Sequence, residues 1–115
     1  MIVHNTERIP EGLTYPSVDD HSELASYELD DLAPLELDEI WYWYWAGGYE
    51  GGGQLLMRRG DQYDIHDMGH CSCYGPTDSV DFVGQPLDVL AARFSDERLR
   101  EVAPLIELAR SHAAA

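Results

Sequence analysis

The run Ile40-Trp41-Tyr42-Trp43-Tyr44-Trp45 decides the architecture of this chain. It is aromatic or β-branched without interruption, which is the composition of a strand. Side-chain alternation puts Trp41, Trp43 and Trp45 on one face and Tyr42 and Tyr44 on the other. On its C-terminal side, Gly47-Gly48-Tyr49-Glu50-Gly51-Gly52-Gly53 reads as a turn, because glycine supplies positive φ at little cost and weakens strands. Residues 54–59 then read as a second strand, Gly60-Asp61 as a tight turn and residues 62–68 as a third strand. In that third strand Tyr63, Ile65 and Asp67 share a face, opposite Asp64, His66 and Met68.

The flanks read differently. Residues 1–39 are acidic and broken by Pro10, Pro16 and Pro34. Ser17-Val18-Asp19-Asp20 has the capping residue and first-turn acids that start a short helix, running to Tyr27. After the central meander and its His-Cys loop (40–76), the C-terminal part (86–113) reads as helical. Pro86 suits the first turn of an amphipathic helix over residues 87–94. Ser95-Asp96-Glu97 caps a last helix with Leu99, Val102, Ile106 and Ala109 at helical spacing, which Pro104 should kink or divide. The expected fold is α+β: a three- or four-stranded antiparallel sheet with helices packed on one face. A length of 115 residues is that of a single domain.

Charge narrows the function. The chain has 22 acids and seven basic residues, all arginine, for a net charge of −15. Residues 1–40 hold eleven of the acids against a single base, Arg8. Such a field repels nucleic acid and anionic membranes and attracts basic protein surfaces. Direct nucleic-acid binding, which needs Lys and Arg clusters, is therefore not expected. No apolar run reaches the roughly 18 residues of a membrane span, and no signal peptide is evident, so cytoplasmic residence is expected. The candidate partner-binding acids are Asp19, Asp20, Glu23, Glu28, Asp30, Asp31, Glu36, Asp38 and Glu39. Leu24, Leu29, Leu32, Leu35 and Leu37 lie among them and would fix the shape of an acidic face. Carboxylates so held can imitate nucleic-acid phosphates and occupy a basic cleft. The alternative is a solvated face that serves solubility alone.

The aromatic strand has two readings of its own. Aromatic side chains dominate cores, and the tryptophan face is expected to lie under the helices. A strand with large groups on both faces hides both only if both are covered. Tyr42, Tyr44 and Tyr49 are therefore the candidates for an exposed contact.

His66, His70, Cys71 and Cys73 offer the donor set of a tetrahedral zinc site. Zinc ligands usually come as two separated pairs, whereas these four share one short segment, so the competing reading is buried thiols and hydrogen-bonding histidines. A disulfide between Cys71 and Cys73 would be strained, and no Lys or Arg is near in sequence to activate a thiolate. The triple glycine lacks the Gly-Lys-Ser/Thr ending of a phosphate loop, and no nucleophile elbow is present. Close pairs of acids are expected by chance at this composition. An enzyme is not expected, nor is a cofactor other than the zinc of the alternative.

The glycine turn, the two following strands and Gly69-His70-Cys71-Ser72-Cys73-Tyr74-Gly75-Pro76 together resemble a group of small bacteriophage and prophage proteins. Those share a Gly-Tyr-x-Gly turn and a (Gly/Ser)-His-Cys-Ser-Cys-Tyr-Gly segment followed by a short helix. The resemblance covers about residues 41–94, and the His-Cys-Ser-Cys-Tyr string is its specific part. It implies a phage origin and a sheet-plus-helix core, and carries no activity with it. Joined to the charge, it leads to the expectation of a phage-type accessory protein that binds and inhibits a host protein with a basic surface, such as a nucleic-acid-binding or defence enzyme. A metal- or ligand-binding module at the His-Cys loop is the alternative.

Overall fold

A computed structural model describes residues 1–6, 10, 22–47, 50–71 and 75–114. The fold is α+β, built on one four-stranded sheet in the order β1-β2-β3-β4. The aromatic run lies in β2 (Glu39–Gly47), which pairs antiparallel with β3 (Glu50–Arg59), and β3 pairs antiparallel with β4 (Gln62–His70). Gly60, at φ 62°, makes the tight turn between β3 and β4.

Two features of the sheet depart from the sequence reading. The first is an additional strand, β1 (Ile2–Asn5), parallel to β2, with Ile2 opposite Glu39 and His4 opposite Trp41. A parallel pair requires a long crossover, and the acidic N-terminal segment is that connection. The second is that Gly51, Gly52 and Gly53 belong to β3 and not to a turn, opposite Ala46, Trp45 and Tyr44. Close packing explains glycine there. A Cβ on Gly53 would collide with the Trp43 carbonyl oxygen, and one on Gly52 would lie 3.0 Å from the Trp45 indole nitrogen.

Both faces of the sheet are covered. On the tryptophan face, Trp41, Trp43, Leu56 and Tyr63 pack with Leu90 of α2 (Leu87–Ala92) and Leu105 and Ala109 of α3 (Asp96–Ala114). The helix α3 runs through Pro104 undivided. Its neighbours Val102, Leu105 and Ile106 are buried on either side, and the Glu101 carbonyl accepts from the Trp43 indole N–H at 2.9 Å. Burial of three such side chains, at about 1.5–3 kcal/mol each, exceeds the roughly 3 kcal/mol that an interior proline costs.

On the tyrosine face, Tyr42, Tyr44, Ile40, Leu55, Met57 and Met68 pack with Leu24, Leu32 and Leu37, with Leu29 and Leu35 partly buried against them. The leucines of the acidic segment thus form the second lid. The expected helix is shorter than its reading: residues 22–25 are not helical, α1 spans Ser26–Asp30, and residues 17–21 lie outside the described residues. A single 3-10 turn (Ala33–Leu35) follows and ends at Glu36 with φ 53°, in the left-handed region. No helix among the described residues is long and apolar enough to cross a membrane.

Candidate functional site

The acidic segment presents its charges outward because its leucines point in. Glu23, Asp30, Asp31, Glu36 and Asp38 are exposed, while the interleaved Leu24, Leu32 and Leu37 are buried. Asp31 accepts from the Thr77 hydroxyl at 3.0 Å, and Asp38 accepts from the Gly60 amide at 2.7 Å and lies 3.6 Å from Arg58. The side chains of Glu23, Asp30 and Glu36 make no hydrogen bond or ion pair among the described residues, and all three residues are exposed. Asp19, Asp20 and Tyr49 lie outside the described residues.

Four of the expected contact residues are not on this surface. Tyr42 and Tyr44 are only 2 % and 4 % exposed, since the leucine lid covers the face that the sequence reading left open. Tyr42 accepts a hydrogen bond from the Leu24 amide at 3.0 Å. Glu28 is buried and accepts from the Ala25 amide at 2.9 Å, fixing the start of α1. Glu39 is buried at the opposite, tryptophan face.

Burial of the tyrosines has an electrostatic signature. Desolvation, reinforced by the Glu28 carboxylate and by Tyr27, pushes the Tyr44 phenol up to about 12, and burial raises Tyr42 as well. A raised phenol stabilises the fold fully below the unfolded value of 10.0 and loses that contribution as pH rises towards 12. For Tyr44, stability should therefore fall between these limits by up to about 1.4 kcal/mol per pH unit, and Tyr42 adds a loss of the same sign. Urea midpoints read in pH steps against tyrosinate absorbance will check this. A flat profile would mean that the phenols ionise freely in the folded state.

Of the His-Cys loop, His66 and Cys71 are half-buried, and Cys73 and the side chain of His70 lie outside the described residues. His66 Nε2 is 3.2 Å from the Pro76 carbonyl oxygen, a hydrogen bond donated by the ring to the loop that follows.

A different set of ionisable groups does converge. His4 from β1, Glu39 from β2 and His112 from the last turn of α3 meet at one end of the tryptophan face. His4 Nε2 is 2.6 Å and His112 Nε2 3.1 Å from the same Glu39 oxygen, Oε2. The other oxygen, Oε1, accepts from Arg58 Nε and lies 3.1 Å from its terminal nitrogen. Burial alone would raise the Glu39 carboxyl. Hydrogen bonds from His4 and Arg58, with the charges of His112 and Arg58, outweigh it and hold the group below the usual carboxylate value.

The rings are positioned too. His4 stacks on Trp41 with centroids 5.4 Å apart and planes 13° apart, and His112 stands edge-on to both. Sequence reading missed this group because its members come from distant segments. One signal was available: Glu39 shares the face of Trp41, Trp43 and Trp45, and a carboxylate on a buried strand face requires partners. No family model matches the chain, and no curated protein or solved structure matches it.

Proposed function

We propose that this chain is an acidic, phage-type accessory protein that binds and inhibits a host protein through the outward face of residues 22–38. The observation that carries the reading is the division of labour in that segment. Its leucines are committed to the core, and the carboxylates of Glu23, Asp30 and Glu36 are left exposed with no side-chain partner among the described residues. A segment needed only as a sheet cover could close the core with any polar exterior. One with so one-sided a charge, on a protein of net charge −15, favours a basic partner and steers its approach. A nucleic-acid-binding or defence enzyme offers such a cleft, and fixed carboxylates would occupy it as phosphates do. Tyr42 and Tyr44, being buried, have no part in this contact.

Pull-down from a bacterial lysate at low and high salt tests the reading, with wild type beside a Glu23→Gln, Asp30→Asn, Glu36→Gln variant. The wild type is expected to retain a basic, nucleic-acid-handling partner at low salt and release it at high salt. The triple variant should keep its thermal stability, because surface changes of this kind stay within about 0.5 kcal/mol. It should also lose most of the retention. Equal retention by the variant would remove the acidic-face reading.

A further inference from the structure

The convergence of His4, Glu39 and His112 resembles a coordination sphere more than a surface ion pair. Two imidazole nitrogens and one carboxylate oxygen lie within 4.8 Å of one another. Two of the three side chains are partly open, with Glu39 5 % exposed, His4 29 % and His112 54 %. We propose that these three residues form a binding site for a first-row divalent transition-metal ion, zinc(II) by its donor set, that ties the first strand to the last helix.

The donor chemistry selects the ion. Two imidazoles with one carboxylate suit zinc and its neighbours, while magnesium and calcium prefer oxygen cages. The geometry is close to what the ion requires. Zinc bonds to nitrogen and oxygen of about 2.0–2.2 Å place tetrahedral donors about 3.4 Å apart. The contacts of His4 and His112 with Oε2, at 2.6 Å and 3.1 Å, would open slightly, and the donors, which span up to 4.8 Å, would draw together around the ion. A ring Nε2 that ligates the ion gives up its proton, which passes to Nδ1 of a neutral imidazole or to solvent from a charged one.

The surroundings hold the ligands in place. Arg58 occupies Oε1, which leaves Oε2 to bind the ion through one oxygen. Trp41, 2 % exposed, fixes the plane of His4 by stacking. Such outer partners orient ligands in metal sites. With three protein ligands, the fourth position opens to solvent and would take water. The net charge of −15 draws cations to the molecule.

The test uses the full chain, free of any histidine tag, titrated with zinc chloride against a chromophoric chelator and separately with cobalt(II). The expected result is one equivalent of zinc, with affinity reduced at least about tenfold in His112→Asn and in His4→Asn. Cobalt should give visible bands of a nitrogen and oxygen site with no thiolate charge-transfer band. His112 lies at the exposed end of α3, so His112→Asn should keep the wild-type circular dichroism even if His4→Asn does not. Less than about a tenth of an equivalent bound would overturn the proposal. So would zinc affinity unchanged in His112→Asn, or a thiolate charge-transfer band abolished by Cys71→Ser, which would put the ion in the His-Cys loop.

Discussion

Trp43→Ala is expected to destabilise the protein by about 3–5 kcal/mol, the range for removing a buried aromatic side chain. Trp43 is 4 % exposed at the centre of the tryptophan face, where it packs under α3. It also donates its indole N–H to the Glu101 carbonyl at 2.9 Å. The truncation therefore opens a cavity and leaves a helix carbonyl without that donor. Small domains hold only about 5–15 kcal/mol in total, so the variant should unfold at much lower urea, or be unfolded outright. Trp43→Phe separates the two contributions. It keeps most of the ring volume and loses the hydrogen bond, for an expected loss of about 1–2 kcal/mol. Urea unfolding followed by circular dichroism, with the slope checked for constancy, gives both values. A loss below about 1 kcal/mol for Trp43→Ala would mean that α3 does not pack on this face.

The same strand shows what a sequence reveals and what it hides. The tryptophan face was legible because period-two aromatic alternation admits few other conformations, and Ala109, one of the residues read at helical spacing, covers it together with Leu105, which that reading did not include. The tyrosine face was misread for want of a lid. The leucines at 24, 32 and 37 sit among acids in a segment broken by prolines, so no regular period marks them as core. The crossover that carries them begins at β1, which is paired along the edge of β2. Ile2 donates to the Asp38 carbonyl at 3.0 Å and Thr6 to that of Tyr42 at 2.9 Å. A four-residue parallel edge strand has no hairpin partner nearby, and nothing local announces it. The His4, Glu39 and His112 group depends on that strand, and so was hidden with it.

Arg58→Leu is expected to cost about 2–4 kcal/mol, and the reason lies in the carboxylate it leaves behind. Glu39 is 5 % exposed and Arg58 23 %, so their contact is shielded from water far more than a surface ion pair. Removing one partner of a buried pair typically costs about 3–5 kcal/mol, because the remaining charge loses its compensation. Here the imidazoles of His4 and His112 remain beside Oε2 and Arg58 itself is partly exposed, which lowers the expected loss to about 2–4 kcal/mol. Arg58 also donates to the Gly60 carbonyl at 2.8 Å, so part of the loss belongs to the β3–β4 turn and not to Glu39. The double variant Glu39→Gln, Arg58→Leu distinguishes these. Glutamine keeps the shape and hydrogen-bonding capacity of Glu39 without its charge. If the stranded charge dominates, the double variant will be more stable than Arg58→Leu alone by about 1–2 kcal/mol, a coupling within the range found for contacting residues. If the two differ by less than about 0.5 kcal/mol, the turn contact dominates, and the pair is worth no more than one at the surface. The comparison thus measures how far β2 relies on a charged partner to keep a carboxylate on an otherwise aromatic face.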